Sequence, residues 1–313
     1  MAADFVVDFH NHHIPQRFES TAARTFPPSQ QARWLDLNRK LADEDLLLQD
    51  IRNGDLDARV VNTPAALLAD ADGHLAHGTI VEINDELAEL AGRHSGRIRA
   101  LATIDAYDGD RAAREVERAI KHLKLTGLFV DSARGDLLID APQARPTLQV
   151  AAELGVPVFV HPVNPQPFTD QMSRYGRLGV LFARGTVNSA ALIALLEGGV
   201  FTQLPGLKVV VTALAFGGLA MASGFAHHSI LSEGTIAAMR KHVWIDTMGF
   251  DPAQIRASID ILGADRVLAG SDWPIVNEGP IRERLFAALQ TADVAEADRA
   301  LITGGNALAL VGH

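Results

Sequence analysis

Not one cysteine occurs among the 313 residues, which excludes disulfides, thiolate metal sites and a cysteine nucleophile. Any metal in this protein must therefore be held by histidine, aspartate or glutamate. No stretch reaches the roughly 18 consecutive apolar residues of a membrane span, and no basic segment precedes an apolar run at the N-terminus. A soluble, cytoplasmic protein is the expectation. Pro/Gly/Ser-rich linkers, internal repeats and low-complexity tracts are absent too. Basic residues are in deficit: 28 Lys and Arg stand against 38 Asp and Glu, a net charge of −10. That balance disfavours nucleic acid or an anionic membrane as the main partner, and points to a small molecule.

What is present is a large apolar fraction, 48% of the chain, arranged as short β-branched or apolar runs alternating with longer helical patterns. The candidate strands are Phe5–Phe9, Ala58–Asn62, Arg99–Ile104, Gly127–Asp131, Pro157–His161, Lys208–Thr212, Val243–Thr247 and Arg266–Ala269. Helical patterns fill the gaps, most plainly over Ile80–His94, Gly109–Leu123 and Ala141–Leu154. Eight strands with helices between them on one linker-free chain predict a single (β/α)8 barrel domain over residues 1–313. Two long inserts, 15–37 and 164–185, follow the first and fifth strands and carry Pro, aromatic and Arg residues. On a barrel they belong to the face where substrate sites form.

Three strand ends carry chemistry. In Val6-Val7-Asp8-Phe9-His10-Asn11-His12-His13-Ile14-Pro15, the i, i+2 spacing of a strand puts His10 and His12 on one face, able to converge on one point. That suits zinc or another borderline divalent ion; a surface cluster at a strand end is the alternative. Val158-Phe159-Val160-His161-Pro162 is an apolar strand ending in a histidine, which either ligates a metal or sits in the core bonded to a carbonyl. Gly270-Ser271-Asp272-Trp273-Pro274 follows the last strand, beside the first in a closed barrel. Asp272 there binds a metal, takes a proton from water, or merely forms a turn. Arg174, Arg177 and Arg184, in the second insert, are candidates for gripping a substrate carboxylate through paired N–H groups. Trp273 either walls the site against water or packs between the last strand and its helix, and Asp246 either supports the site or caps its strand.

The set Asp8-x-His10-x-His12, His161-Pro162 and Gly270-Ser271-Asp272-x-Pro274 resembles the amidohydrolase superfamily, and within it the branch containing aminocarboxymuconate semialdehyde decarboxylase and related aromatic-acid decarboxylases. Gly198-Gly199-Val200-Phe201 before the sixth strand and Gly304-Gly305-Asn306-Ala307 near the C-terminus extend the likeness along nearly the whole chain. The resemblance implies one divalent ion, zinc first and manganese second, held by His10, His12, His161 and Asp272. It also implies a homodimer and a catalytic histidine ending the sixth strand. Here the chain departs from the pattern: Ala213 occupies that position, followed by Leu214-Ala215-Phe216-Gly217-Gly218. An alanine cannot transfer a proton. The groups expected to take over are Asp272, or His227 and His228 on the following helix, unless these two form an exposed helix pair.

The expected activity is nonoxidative decarboxylation of a small aromatic or unsaturated carboxylic acid. Metal-dependent hydrolysis of a lactone, amide or ring C–N or C–C bond, with Asp272 as general base, is the alternative reaction. A catalytically silent ligand-binding barrel is the rival of a different class.

Overall fold

Strand residues alternate between two apolar environments, and that alternation builds the molecule. The computed structural model describes residues 5–18, 20, 28–69, 75–276 and 279–312. Eight parallel strands run β1 Val7–His12, β2 Ala58–Asn62, β3 Ile98–Ala100 continued by Ala102–Thr103, β4 Leu128–Asp131, β5 Pro157–His161, β6 Lys208–Val211, β7 Val243–Asp246 and β8 Val267–Leu268. Each pairs in parallel with the next. The ring closes between the first and last: Phe9 N donates to Ala269 O at 2.8 Å, Asp272 N to His10 O at 2.6 Å, and His12 N to Trp273 O at 2.9 Å. The predicted (β/α)8 barrel is the observed architecture.

One set of strand side chains, including Phe9, Val60, Phe129, Phe159, Val210 and Leu268, fills the barrel interior. The other set, including Val61, Val130, Val160, Val211 and Ile245, packs outward against the helices. The interior of a barrel this size is thus packed with side chains, and its ligand sites form at the rim.

The first strand breaks the alternation. Asp8 pairs with Arg59 and Asn11 with Val61, so Phe9 and His10 together stand opposite Val60. This is a β-bulge, one extra residue that switches the face presented by everything after it. Phe9 and His10 consequently both meet the ring of Phe159, at 5.6 and 5.0 Å between centroids. The amide of Asn11 spans the irregularity, donating to Asp8 O at 2.9 Å and to Val60 O at 3.2 Å. Without the bulge, the register begun by Val7 and Phe9 would aim both histidines at the helices. The expected strand Phe5–Phe9 accordingly ends too early, because ladder pairing resumes past the bulge.

Helices occupy the outer layer over His77–Arg93, Gly109–Lys121 and Arg145–Leu154, close to the patterns expected. The second insert folds into a helix Phe168–Ser173 and the first half of a helix Gly176–Glu197. The latter is long and apolar enough to cross a membrane by composition alone. Its Ala191, Leu192, Leu195 and Leu196 are buried in the barrel–helix layer, as in a core helix. Part of the first insert, 21–27, lies outside the described residues, and a helix Pro28–Ala42 follows it.

Candidate metal centre

The inward parity that carries Phe159 to His161 and the bulge that turns β1 bring three imidazoles to one place at the barrel mouth. One nitrogen from each of His10, His12 and His161 lies within 4.8 Å of the others. All three residues are buried. Asp272 completes the group, its Oδ1 being 3.5 Å from His10 Nε2 and 3.0 Å from His12 Nε2. It lies past the end of β8, in a loop, with a left-handed backbone at φ 57°, a conformation uncommon for any residue but glycine. His13 is buried as well, but it stays out of the group, with burial holding its pKa down at about 4.

The opposite ring nitrogens are committed elsewhere. His10 Nδ1 bonds Asp246 Oδ2 at 2.6 Å and His12 Nδ1 bonds Asn62 Oδ1 at 2.7 Å. An amide oxygen only accepts, so His12 Nδ1 donates to it, which leaves Nε2 as the ring nitrogen turned to the cavity. Asp246 is itself fixed, its Oδ1 accepting from the backbone N–H of Ala213 at 2.9 Å and of Met248 at 3.0 Å. Carboxylate or amide partners behind metal-binding imidazoles set tautomer and ring orientation in this way.

His10 Nε2 and Asp272 Oδ1 are buried without a hydrogen-bond partner. Polar atoms left without a partner at this depth are costly, and a cation held between them would satisfy both. The donor set therefore fits a divalent ion, and three imidazoles with one carboxylate suit zinc or manganese. Burial, together with His12, Arg184 and His10, holds the His161 pKa well below the ordinary value, so its ring is neutral and able to ligate. Burial alone would raise Asp272, but His10, His12 and Arg184 outweigh it and keep the carboxylate ionised.

Above the group is a cavity of about 150 Å³ walled by Trp34, Leu67, Leu181, Leu214, Met248 and Ile275. Three arginines line it: Arg33, Arg177 and Arg184. Arg33 and Arg177 each donate to Ile275 O at 2.8 Å, and Arg184 Nη1 donates to Asn164 Oδ1 at 3.2 Å. Asp272 is the one acidic residue among the described lining residues, so the cavity is electropositive and suited to an anion.

Several expected residues lie elsewhere. Arg174 is exposed and stacks on Tyr175 at 4.8 Å, outside the described lining. Trp273 is buried with Arg59 over its ring at 4.7 Å, so the aromatic wall is supplied by Trp34 instead. His227 and His228 are exposed in the turn just after the helix Phe216–Gly224, and neither lines the cavity. Ala213 bonds through its backbone, with its carbonyl accepting from Gln254 Nε2 at 2.7 Å.

Asn62, Arg33 and Trp34 are the residues that sequence reasoning missed. Asn62 was within reach, since an amide ending an apolar strand is the same signal that drew attention to His161.

Comparison with known proteins adds an independent line. The family model described as Amidohydrolase matches residues 7–313. A gamma-resorcylate decarboxylase from Polaromonas sp. strain JS666 is 29% identical over 299 residues, 88% of this chain and 89% of the relative. A 2-amino-3-carboxymuconate-6-semialdehyde decarboxylase from Dictyostelium discoideum is 24% identical over 280 residues, 86% and 77% of the two chains. Among solved structures, a dihydroxybenzoic acid decarboxylase from Polaromonas sp. JS666, with bound manganese and the inhibitor 2-nitroresorcinol, superposes with a TM-score of 0.82 at 22% identity. It covers 98% of this chain and 97% of its own.

Proposed function

Because the chain belongs to the amidohydrolase family, we propose that it is a metal-dependent carboxy-lyase removing carbon dioxide, without an oxidant, from a small aromatic or unsaturated carboxylic acid. The observation that carries this reading is the convergence of His10, His12, His161 and Asp272 beneath a small, arginine-lined cavity with apolar walls. The names of the relatives, all decarboxylases of carboxylated substrates, support it. A divalent ion held by these four residues would supply a Lewis acid that polarises the substrate carboxylate and its neighbouring oxygen. Zinc is our first choice from the donor set, with manganese, bound in the Polaromonas structure, the second.

Arg184 and Arg177 orient the carboxylated substrate through charge-assisted N–H bonds. Trp34, Leu67 and Met248 keep water from the reacting carbon. When the carbon–carbon bond breaks, its electron pair stays on the substrate carbon, which takes up one proton as carbon dioxide leaves. Asp272, ionised at rest, takes up that proton from solvent and relays it to the carbon. Ala213 offers no acid or base for the task, and among the described lining residues Asp272 is the one group outside the three imidazoles whose ordinary chemistry is proton transfer. Assembly as a cytoplasmic homodimer belongs to the same reading; the apolar groove bearing Leu178, Phe182 and Met221 supports a second copy.

The test is metal analysis of the purified protein followed by assay of carbon dioxide release from hydroxybenzoates and muconate-type acids. About one metal per chain and release abolished by a chelator are expected. Turnover of lactones or esters with no carbon dioxide would replace this reading with hydrolysis.

A further inference from the structure

Arg59 is a fully buried arginine on β2 and is not among the described residues lining the cavity. Its Nη1 lies 3.3 Å from Asp8 Oδ2, its Nη2 donates to Asp50, and its guanidinium plane lies over Trp273. Asp8 in turn accepts from Ser271 twice, from the backbone N–H at 2.9 Å and from the hydroxyl at 2.8 Å. The Ser271 hydroxyl oxygen then accepts from Trp273 N at 3.0 Å. The two residues held by this chain of contacts, Ser271 and Trp273, are the neighbours of Asp272 on either side.

We infer that Arg59 is a positioning residue for Asp272. It fixes the carboxylate against the imidazoles by clamping Ser271 through Asp8 and Trp273 through its ring. Asp272 needs such help because its left-handed backbone is disfavoured for a residue bearing a Cβ, and persists only where the surroundings over-determine it. A lysine in place of Arg59 would keep the charge between Asp8 and Asp50. It would lose the planar face that stacks on Trp273 and the fork that reaches both carboxylates at once. The inference rests on the metal reading above, since what Asp272 is positioned for is the ion.

The experiment is a cobalt titration of chelator-stripped protein, followed by the visible absorption of bound Co2+, for wild type, Arg59→Lys and Trp273→Leu. Circular dichroism and thermal melts run alongside. Outer partners of metal ligands typically change affinity by about 10–100-fold, and Arg59→Lys is expected to weaken cobalt binding by about tenfold or more while keeping its circular dichroism spectrum. Leu87→Ala, a fully buried residue on the helix His77–Arg93, serves as the control: lower Tm, unchanged cobalt affinity. If Arg59→Lys does not fold, Trp273→Leu carries the test, because it removes the stacking partner without touching a charge. A folded variant that binds cobalt as tightly as wild type, whatever its Tm, overturns the positioning role. Wild-type protein that takes up no cobalt overturns the metal reading and this role together.

Discussion

Gly270 is where the close approach of β1, β7 and the segment following β8 can be measured by a single methyl group. A Cβ added there would lie 2.8 Å from the Cβ of His10 and 3.0 Å from the Cβ of Asp246. Both neighbours are first side-chain atoms, fixed by their strand backbones, so no rotamer change relieves the contact. The strands would have to part by several tenths of an ångström. That would strain the 2.8 Å bond from Phe9 N to Ala269 O and the 2.6 Å bond between His10 Nδ1 and Asp246 Oδ2.

Overpacking of this kind costs about 1–3 kcal/mol, offset by the roughly 0.4–1 kcal/mol that a Gly→Ala change contributes through the unfolded chain. Net destabilisation of Gly270→Ala is therefore expected at about 1–2 kcal/mol, a Tm lowered by a few degrees. The melt should be run in chelator, so that metal linkage does not enter the comparison.

Gly217→Ala supplies the opposite sign. Its nearest obstacle is Ser189 Oγ at 3.2 Å, a hydroxyl that can rotate away, and the residue lies within the helix Phe216–Gly224. It should gain up to about 1 kcal/mol from helix propensity. Gly270→Ala melting at or above wild type would refute the reasoning, because it would mean that the three segments are not held at this spacing.

Asn62→Ala removes the acceptor behind His12 and frees its ring to turn; cobalt affinity should fall by about 10–100-fold, and an unchanged titration would show that Asn62 does not orient the imidazole. Arg184→Gln should raise KM for a carboxylate substrate by about 10–100-fold, as a charged hydrogen bond is worth about 1.5–3 kcal/mol. A change confined to kcat would exclude the binding role. His242, buried and stacked on Phe201 at 4.7 Å, has its pKa lowered below 6.5, chiefly by burial and further by Lys241 and Arg266, against the hydrogen bond to Leu207 O. A histidine held neutral in the fold contributes stability that is full above about 6.5 and erodes as pH falls through that value, because the unfolded chain then binds the proton more readily. Urea unfolding at pH 7.5 and 5.5 should therefore show a smaller acid loss for His242→Gln than for wild type, and parallel losses would sink the argument.

Local pattern was most legible where a strand is apolar throughout and ends at a polar residue. Ala58–Asn62 and Pro157–His161 were expected within the bounds observed, because ladder pairing and apolar run coincide there. The last strand is only Val267–Leu268, shorter than Arg266–Ala269, since the chain leaves the ladder early to make the loop that carries Asp272. The aromatic wall was misread for a related reason. Trp273 is adjacent to Asp272 in the chain, but in a left-handed turn successive side chains diverge, and its ring goes down onto Arg59. Trp34, far away in sequence, takes the position facing the cavity.

What the amino-acid order determined by itself is the donor chemistry and the barrel. With no cysteine present, only imidazoles and carboxylates remain as ligands, and eight short strands alternating with helical patterns on one linker-free chain point to a closed parallel sheet. Tertiary structure alone decided which way those donors face. Period-2 alternation counted from Val7 and Phe9 would turn His10 and His12 outward, and it is the bulge opposite Val60, held by the amide of Asn11, that turns them in. A bulge arises from pairing between strands some 50 residues apart in the chain, a relation between two segments that neither carries in its own sequence.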